Sequence, residues 1–326
     1  MKRKILIIRF SAIGDIIYTT PVVRCLKQQL PNVEIHYLTK KQFSPILASN
    51  PYIDKLHLLS NNLSEIVDTL KKEQFDYVID LHNTIRSLLI KYLLGKPSKT
   101  FKKYRLQKWL ALKFKINLIP NLHLVERYLQ TVDFLGIKND HKPVDYFLDT
   151  HYNLEKLLPP YLCQQPYIAF IIGATHFTKR MPLEKVIHII QQLNCPVVLL
   201  GGNDVAENGE KIAAICGQKT FNGCGKWSLN ESVSIVKQAS SVIGFDTGLT
   251  HIAEAFNKPI VSIWGSTEPQ LLGVEPYQLS ESYIAEVNLP CRPCSKFGLN
   301  HCPKQHFNCM WKIDEHPIVD FLNKNR

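Results

Sequence analysis

The stretch RFSAIGDIIYTTP, residues 9–21, follows the apolar run KILII at residues 4–8. A buried strand that leads through a small, flexible turn into a helix is typical of an open sheet of parallel strands. Ligands bind beside the carboxyl ends of the strands in such sheets, and Asp15 stands at that point. Taken alone, Asp15 is better explained as a helix cap, because exposed amides and the helix dipole favour an acid there.

Length and composition predict two globular domains. The chain has 326 residues, 45% of them hydrophobic and 21% charged, which is enough to bury two cores. No segment approaches the roughly 18–20 apolar residues of a transmembrane helix. The N-terminal MKRKILIIRF has a short apolar run and no small-residue cleavage site, so we interpret it as a first strand and not as a signal peptide. We therefore expect a cytoplasmic protein.

Positive charge is concentrated in one segment. Lysine and arginine exceed aspartate and glutamate by 39 − 28 = 11, and residues 86–115 contain ten cations and no acid. Apolar residues recur there at helical spacing, which predicts two basic amphipathic helices with a hinge at residues 95–97. A charge run is usually a solvated helix face. Ten cations without an anion indicate an anionic partner, and we expect a phosphate-bearing lipid in preference to nucleic acid, since no nucleic-acid motif accompanies them.

Strands and helices alternate in both halves of the chain. The predicted strands are Lys4–Phe10, Val33–Thr39, Lys55–Leu59, Tyr77–Leu81, Tyr167–Ile172, Pro196–Leu200, Ser241–Phe245 and Pro259–Trp264. The predicted helices are Asp15–Leu30, Gln42–Ser49, Leu63–Glu73, Leu183–Leu193, Val205–Cys216, Ser228–Ala239, Leu249–Phe256 and Ile313–Leu322. Pro21 either kinks the first helix or lies in the first turn of a helix that starts at Thr20.

This alternation predicts an α/β fold of two doubly wound parallel sheets that face each other across a cleft. Residues 137–166 lose the alternation and carry four prolines, so we interpret them as a linker. The predicted domains are residues 1–150 and residues 160–310. Residues 311–326 hold a last amphipathic helix, which we expect to pack back on the first domain.

Three strand ends in the second half also carry small and polar residues. They are GATHFTKRMP at residues 173–182, GGNDVAE at residues 201–207 and DTGLTH at residues 246–251. Free backbone amides, hydroxyls and the positive end of a helix suit a pyrophosphate. Helix caps, a structural histidine and a solvated lysine are the ordinary explanations of the same residues. Neither the glycine pattern of dinucleotide-binding folds nor the lysine loop of nucleotide triphosphatases occurs.

Together these motifs resemble glycosyltransferase family 9, the ADP-heptose:lipopolysaccharide heptosyltransferases. The resemblance rests on ILIIRFSAIGDIIYTTPVVRCLKQQLP near the N-terminus, on Thr178–Pro182, on the GGNDVAE run, on DTGLTHIAEAFNKPIVSIWGSTEP and on the cysteine-rich CRPCSKFGLNHCPKQHFNCM. It implies a GT-B fold that binds the acceptor on the N-terminal domain and the nucleotide-sugar on the C-terminal one. The implied reaction is inverting transfer of a heptose from ADP-heptose to the lipopolysaccharide inner core, without a required cofactor.

The resemblance also implies roles for individual residues. Asp15 would be the general base that removes a proton from the acceptor hydroxyl, and Lys179 would neutralise charge on the departing ADP. The residues implied in nucleotide-sugar binding are Thr175, Thr178, Glu207, Asp246, Thr247, Gly248, Leu249 and His251.

The acceptor is expected to be a Kdo or heptose sugar on lipid A. Its expected contacts are Ser11, Gly14, His82, Asn83, Arg86, Lys102 and Arg105. Asp80, at the same strand end as His82 and Asn83, could also contact the acceptor's sugars, but structural caps explain Asp80 and Asn83 equally well. A cationic, partly apolar surface suits docking on the inner face of the inner membrane, and we expect the protein to act there as a monomer.

The nine cysteines fit a reducing compartment, because five are scattered and four cluster near the end. Cys291, Cys294, Cys302 and Cys309 have spacing compatible with a structural zinc site, although not that of a standard zinc ribbon. Buried or free thiols are the alternative.

Two other functions fit the same sequence. One is a GT-B transferase or epimerase that uses a different nucleotide-sugar, because a fold does not determine its donor. The other is an inactive homologue that binds a nucleotide-sugar or lipid, and the presence of both Asp15 and Lys179 argues against it.

Overall fold

The first apolar run forms β1 (Arg3–Ile8), and Ile5 to Ile8 have no exposed surface. The computed structural model describes residues 3–59 and 62–326. It divides into two units, of which the first comprises Met1–Arg105 with Leu122–Asp149 and the second Leu106–Asn121 with Thr150–Arg326. Each unit is built on one parallel sheet, and a strand covered on both faces is apolar along its whole length.

The first unit continues with α1 (Ile13–Ile17), α2 (Thr20–Gln29), β2 (Val33–Lys40), β3 (Lys55–Leu59), α3 (Leu63–Lys72), β4 (Tyr77–Asp80), α4 (Ile85–Leu94) and β5 (Ser98–Thr100). After α5 (Arg105–Phe114), which lies almost entirely in the second unit, the chain returns to the first with α6 (Leu124–Leu129). The sheet order is β3-β2-β1-β4-β5, and all its pairs are parallel.

The second unit contains α7 (Pro160–Cys163), β6 (Ile168–Ile171), α8 (Leu183–Gln192), β7 (Val197–Leu200), α9 (Ala206–Cys216), β8 (Thr220–Asn222), α10 (Leu229–Gln238), β9 (Ser241–Phe245), α11 (Gly248–Ala253), β10 (Ile260–Ile263), α12 (Pro269–Leu272), β11 (Ser282–Ala285), α13 (Asn308–Trp311) and α14 (His316–Lys324). Its sheet order is β11-β10-β9-β6-β7-β8, again with parallel pairs only.

Each sheet has a topological switch point. The chain moves outward from β1 through β2 and β3, and then crosses to the other side of β1 for β4 and β5. In the second sheet it moves from β6 through β7 and β8, and then crosses to β9. The loops after β1 and β4 therefore leave their sheet in opposite directions, as do the loops after β6 and β9. Ligands of open α/β sheets bind in the crevices that these diverging loops create.

The sequence prediction of the main elements is confirmed. All eight predicted strands are present, with bounds that shift by at most two residues. Of the two alternatives for Pro21, the second is observed, because α2 starts at Thr20 with Pro21 in its first turn. The predicted helix at residues 42–49 is instead a 3-10 helix, Lys41–Ile46, with a proline inside it.

The predicted hinge between the basic helices is wrong. Gly95 ends α4 with a φ of 61°, and the chain then forms β5, which pairs with β4 at the edge of the sheet. All three residues of β5 are exposed or partly exposed, so this strand shows no alternation of apolar and polar side chains. The sequence therefore gives no strand signal here, and the same limit applies to the short strands β8 and β11.

The predicted domain bounds need two corrections. Residues 106–121 belong to the second unit and not to the first. The last helix, α14, also belongs to the second unit, where Ile318 and Leu322 are fully buried beside the sheet and α8. Its apolar face was predicted correctly, but amphipathicity does not specify which core a helix joins.

The segment after α6 is tied to α2 by a buried ion-pair network. Arg24, of which only 3% is exposed, donates through Nε to Asp140 Oδ2 at 2.7 Å and also pairs with Asp145. Removing the guanidinium leaves these carboxylates without their cation, which is costly in a buried site.

We expect Arg24→Met to destabilise the first unit by about 3–5 kcal/mol. The measurement is urea denaturation followed by hydrogen exchange of peptides from α2 and residues 137–149. Lys27→Met is the matched control, because its pair with Asp54 is partly exposed and such pairs contribute only about 0–1 kcal/mol. Equal losses for the two variants would contradict the structural role given to Arg24.

Candidate functional site

The loop after β1 presents Asp15 on a buried arginine. Asp15 lies in the first turn of α1 and pairs with Arg9; the Asp15 side chain is 39% exposed and that of Arg9 only 7%. Arg9 is held in turn by the carbonyls of Ser11 and Leu81, at 2.7 and 2.8 Å, and by the Tyr128 hydroxyl at 3.0 Å. Burial opposes the charge on Arg9, but the Asp15 carboxylate keeps the pKa of the guanidinium above its usual value.

The cap explanation of Asp15 is therefore incomplete. Its Oδ2 accepts a long hydrogen bond of 3.5 Å from the Ala12 amide, as a capping residue would. The pair with Arg9 uses the same oxygen. Neither of these contacts uses Oδ1.

The loop after β4 is organised by Asp80, which is fully buried. Its Oδ1 accepts from the amides of His82 and Asn83 at 2.9 and 2.8 Å, and its Oδ2 accepts from Ser87 Oγ at 2.9 Å. Of the two explanations for Asp80, the structural cap is thus observed. The side-chain amide of Asn83 donates to the Phe101 carbonyl at 2.8 Å and so helps to hold this loop.

His82 is the polar group of this loop that faces the Asp15 loop. Its ring packs on Phe10, with centroids 4.7 Å apart, and its Nδ1 is buried with no hydrogen-bond partner among the described residues. Burial, together with the nearby positive charge of Arg9, lowers the pKa of His82 to about 4. The ring is therefore neutral at physiological pH, and one of its two nitrogens has a lone pair that can accept a hydrogen bond.

The other predicted acceptor residues are less closely grouped. Ser11 and Gly14 lie in the Asp15 loop, and both are partly exposed. Arg105 donates to the Asn83 carbonyl at 2.7 Å and so supports the loop after β4. Arg86 and Lys102 are exposed, at the start of α4 and after β5.

The second switch point brings Lys179 and Asp246 together. Lys179 ends a 3-10 helix after β6, and its Nζ lies 2.5 Å from Asp246 Oδ2, after β9. Thr267 Oγ1 donates to the same carboxylate at 3.0 Å. Burial opposes ionisation of Asp246, but hydrogen bonding from His251 and the charge of Lys179 lower its pKa to about 2.

His251 lies between two carboxylates in the first turns of α11. Its Nε2 is 3.4 Å from Asp246 Oδ1, and its Nδ1 is 3.0 Å from Oε1 of Glu254, which is itself buried. Burial opposes the positive charge, but hydrogen bonds to Asp246 and Glu254 raise the pKa of His251 to about 9. The imidazole is therefore protonated at neutral pH.

The remaining residues predicted for the nucleotide-sugar fall into two groups. Thr247, Gly248 and Leu249 are partly exposed at the start of α11, where helix amides have no intrahelical acceptor. Thr178 is buried, and its hydroxyl bonds Ser266 Oγ at 2.7 Å, which makes it a support of the loop. Thr175 and Glu207 are exposed, and Glu207 pairs with Lys211 one turn along α9.

Three residues of these loops were missed by the sequence analysis, namely Arg9, Glu254 and Thr267. All three lie inside the motifs that were quoted, so residue type alone did not distinguish them. Arg9 directly follows the isoleucine and leucine residues of β1. A cation between such an apolar run and a turn indicates a charged group at the end of a buried strand, and this pattern could have identified Arg9. Glu254, three residues after His251, has the spacing that brings two side chains together on a helix.

The cysteine-rich segment lies in the second unit. Burial and the neighbouring thiols raise the pKa of Cys309 to about 11, so the four cysteines are close enough to interact. In the described part of the chain, however, no three of these sulfurs lie within 4.8 Å of one another. None of the four is joined in a disulfide within the described residues, and zinc and free thiols both stay predictions.

Within residues 3–59 and 62–326, none of the helices is long and apolar enough to cross a membrane.

Comparison with known proteins identifies the family. The model of glycosyltransferase family 9 (heptosyltransferase) matches residues 64–302, well over half of the chain. The chain belongs to glycosyltransferase family 9. It is therefore a glycosyltransferase, as the resemblance predicted.

Individual relatives agree with this assignment. Lipopolysaccharide heptosyltransferase 1 of Campylobacter coli is 29% identical, over 81% of this chain and 84% of its own length. Lipopolysaccharide heptosyltransferase 3 of Escherichia coli K12 is also 29% identical, over 78% of this chain and 80% of its own.

Solved structures of the family share the fold. A glycosyltransferase of family 9 from Veillonella parvula has a TM-score of 0.79 at 19% identity and covers 99% of this chain and 97% of its own. Escherichia coli ADP-heptose lipopolysaccharide heptosyltransferase II has a TM-score of 0.73 at 20% identity, with coverage of 99% and 98%. These likenesses confirm the predicted GT-B fold class.

The raised pKa of His251 predicts an alkaline loss of stability. The pKa rises from 6.5 to about 9 on folding. The charged imidazole therefore contributes fully to the free energy of unfolding below pH 6.5, and this contribution is lost as the pH rises through about 9. We expect the parent's melting temperature to fall over this range and that of His251→Gln to lack this component. His301→Gln, at an exposed histidine of the same unit, is the control. A parent curve that is flat from pH 6.5 to 9.5 would contradict the charged state.

Proposed function

We propose that this glycosyltransferase moves a heptose from ADP-heptose to a hydroxyl of the lipopolysaccharide inner core, on Kdo or heptose of lipid A, with inversion at the anomeric carbon. The family assignment and relatives called lipopolysaccharide heptosyltransferases support the acceptor class. Structures titled Escherichia coli heptosyltransferase WaaC with ADP and with ADP-2-deoxy-2-fluoro heptose, which share the fold at 19% and 18% identity, support the donor.

The arrangement of Asp15 is the observation that carries the mechanism. A general base has to be ionised, oriented and reachable by the hydroxyl that it deprotonates. Arg9 pairs with the carboxylate and is itself fixed by three further hydrogen bonds, while 39% of the Asp15 side chain stays exposed. Asp15 thus combines a fixed orientation with access from solvent, and neither property is needed for a helix cap.

The proposed reaction is a single displacement. The acceptor oxygen gives its proton to Asp15 and forms a bond to the anomeric carbon, while the bond from that carbon to the β-phosphate oxygen breaks. The electron pair of that bond leaves on ADP. Attack from the face opposite the leaving group inverts the anomeric centre.

The second unit would stabilise the departing ADP. Lys179 and the first amides of α11 provide positive charge and hydrogen-bond donors at one switch point. We propose no divalent ion in this role, because the ammonium group meets the charge that develops on the diphosphate. The ammonium also pairs with Asp246, so the diphosphate has to compete with that carboxylate.

His251 then acts mainly through Asp246. Both of its ring nitrogens face carboxylates, which keeps the ring oriented and charged. Its positive charge also offsets part of the negative charge of Asp246, and the site is thereby less repulsive to a diphosphate.

An exposed apolar face on α4 supports docking at the cytoplasmic face of the inner membrane. Ile85 and Tyr92 are 86% and 82% exposed, and Leu88, Leu89 and Leu93 lie on the same side of the helix at 39–48% exposure. Two exposed cations lie close to it in the chain: Arg86 is in the first turn of α4, and Lys102 follows β5. Apolar side chains beside cations match the acyl chains and phosphates of an anionic lipid surface. We propose that the protein is a cytoplasmic, monomeric enzyme that associates peripherally with this membrane.

We expect Asp15→Asn to lower turnover by about 10²–10⁴-fold, the usual cost of losing a general base, and to leave ADP affinity unchanged. Release of ADP from ADP-heptose with a Kdo-lipid A acceptor, in buffer containing EDTA, gives turnover, and calorimetry gives the affinity. Asp68→Asn, at an exposed acid on α3, is the matched control. Turnover of Asp15→Asn within a few-fold of the parent would reduce Asp15 to a helix cap.

We expect the double variant of Arg86 and Lys102 to glutamine to bind anionic vesicles roughly thirtyfold more weakly. Each cation contributes about 1 kcal/mol at an anionic surface, and about 1.4 kcal/mol is a factor of ten. Vesicle sedimentation at low salt measures the binding. Lys71 and Lys72 to glutamine, at exposed positions on α3, is the charge-matched control. If both double variants lose affinity equally, only net charge matters and α4 has no special role.

A further inference from the structure

A layer of polar side chains interrupts the apolar face of the first sheet that α3 covers. Leu6 and Ile8 of β1, Leu38 of β2 and Leu59 of β3 pack in the core beneath this helix. Side chains two residues apart on a strand share a face. The same rows therefore continue toward the strand starts with the polar residues Lys4, Glu34, His36, Lys55 and His57. Glu73, which follows α3, joins them.

Two histidines and one carboxylate converge within this layer. His36 Nδ1 lies 2.9 Å from His57 Nε2 and 4.0 Å from Glu73 Oε2. In the described part of the chain, these three residues are the one group of His, Cys, Asp or Glu whose ligand atoms all lie within 4.8 Å of one another. His36 and His57 are 0% and 4% exposed, and the Glu73 side chain is 15% exposed.

The hydrogen bonds orient these groups. His36 Nε2 lies 2.8 Å from Glu34 Oε1, so in the neutral tautomer protonated on Nε2 this nitrogen donates to the carboxylate and Nδ1 carries the lone pair. A neutral, carboxylate-oriented imidazole, a second neutral imidazole and an ionised carboxylate are the forms in which these side chains bind metals.

We propose that His36 Nδ1, His57 Nε2 and Glu73 Oε2 bind a divalent metal ion of the zinc class. With bonds of about 2.1 Å, ligand atoms in a tetrahedral zinc site lie roughly 3.4 Å apart. The observed 2.9 and 4.0 Å bracket this separation. A mixed nitrogen and oxygen ligand set favours zinc over calcium or magnesium. The metal takes the place of the proton on His57 Nε2, and that proton moves to His57 Nδ1, so both imidazoles stay neutral.

Lys55 and Lys4 limit the affinity of this site. Lys55 Nζ lies 2.5 Å from Glu73 Oε1, and Lys4 Nζ lies 3.6 Å from Glu73 Oε2. Both ammonium groups repel a divalent cation and compete for its carboxylate. The Lys55 side chain is half-exposed, so this is also the side from which water and the ion reach Glu73. The C-terminal end of α3, with its negative dipole, partly offsets the repulsion.

A metal here would join three elements of the first unit, namely β2, β3 and the C-terminal end of α3. None of the three ligands is a residue of the loops proposed for acceptor or donor. The site therefore stabilises the unit and takes no part in sugar transfer.

The experiment titrates Zn²⁺ into the chelator-treated full chain against a competing chromophoric chelator. We expect one site that Glu73→Gln and His57→Gln weaken at least a hundredfold, and that Glu34→Gln weakens ten- to a hundredfold because it only orients His36. Lys55→Ala should bind more tightly than the parent, whereas Lys41→Ala, at an exposed lysine, should not. Improved binding cannot result from misfolding, so this variant keeps the test independent of the destabilised ones.

Cobalt separates this site from the cysteine-rich segment. Co²⁺ bound by nitrogen and oxygen shows no sulfur-to-metal charge transfer, and the bound Co²⁺ should persist when Cys291, Cys294 and Cys302 are replaced by serine. A thiolate spectrum that is lost with the cysteines, or equal Zn²⁺ affinity of parent, Glu73→Gln and Lys55→Ala, would overturn the proposal.

Discussion

Burial of β1 and β6 on both faces is the constraint from which the rest of the arrangement follows. A strand covered by helices on either side cannot carry a charged group in its middle, because an unpaired charge there would lose its hydration. Charge is therefore confined to the two ends of the strands. At the carboxyl ends the switch points open the sheet edge, and Asp15 and Lys179 lie there, each in an ion pair.

The two sheet edges each carry an ion pair, but the buried partner has opposite charge in the two units. In the first unit a buried cation, Arg9, holds a carboxylate that remains partly exposed. In the second unit a largely buried carboxylate, Asp246, holds an ammonium group. The proposed chemistry needs this asymmetry, since one edge has to accept a proton and the other has to meet a departing anion.

Local sequence was enough to predict eight of the eleven strands in the two sheets, the switch-point loops and the candidates Asp15, Lys179 and Asp246. It was not enough for the contacts that make these residues useful. Arg9 meets Tyr128, which is 119 residues away, and Lys179 meets Asp246, which is 67 residues away. Such pairs depend on the order of the strands in the sheet, which cannot be inferred from the periodicity of the sequence. The same reason explains α14, whose apolar face was evident although the core that receives it was not.

The pair of Lys179 and Asp246 also bears on how a turnover ends. A carboxylate fixed beside the ammonium group is a tethered rival for any bound diphosphate, with an effective concentration far above that of a free anion. In the proposed reaction, Asp246 gives up its partner when donor arrives and regains it as the product leaves. Formation of the Lys179–Asp246 pair is favourable, and its free energy offsets part of the attraction between Lys179 and ADP. The pair therefore favours release of ADP from the site.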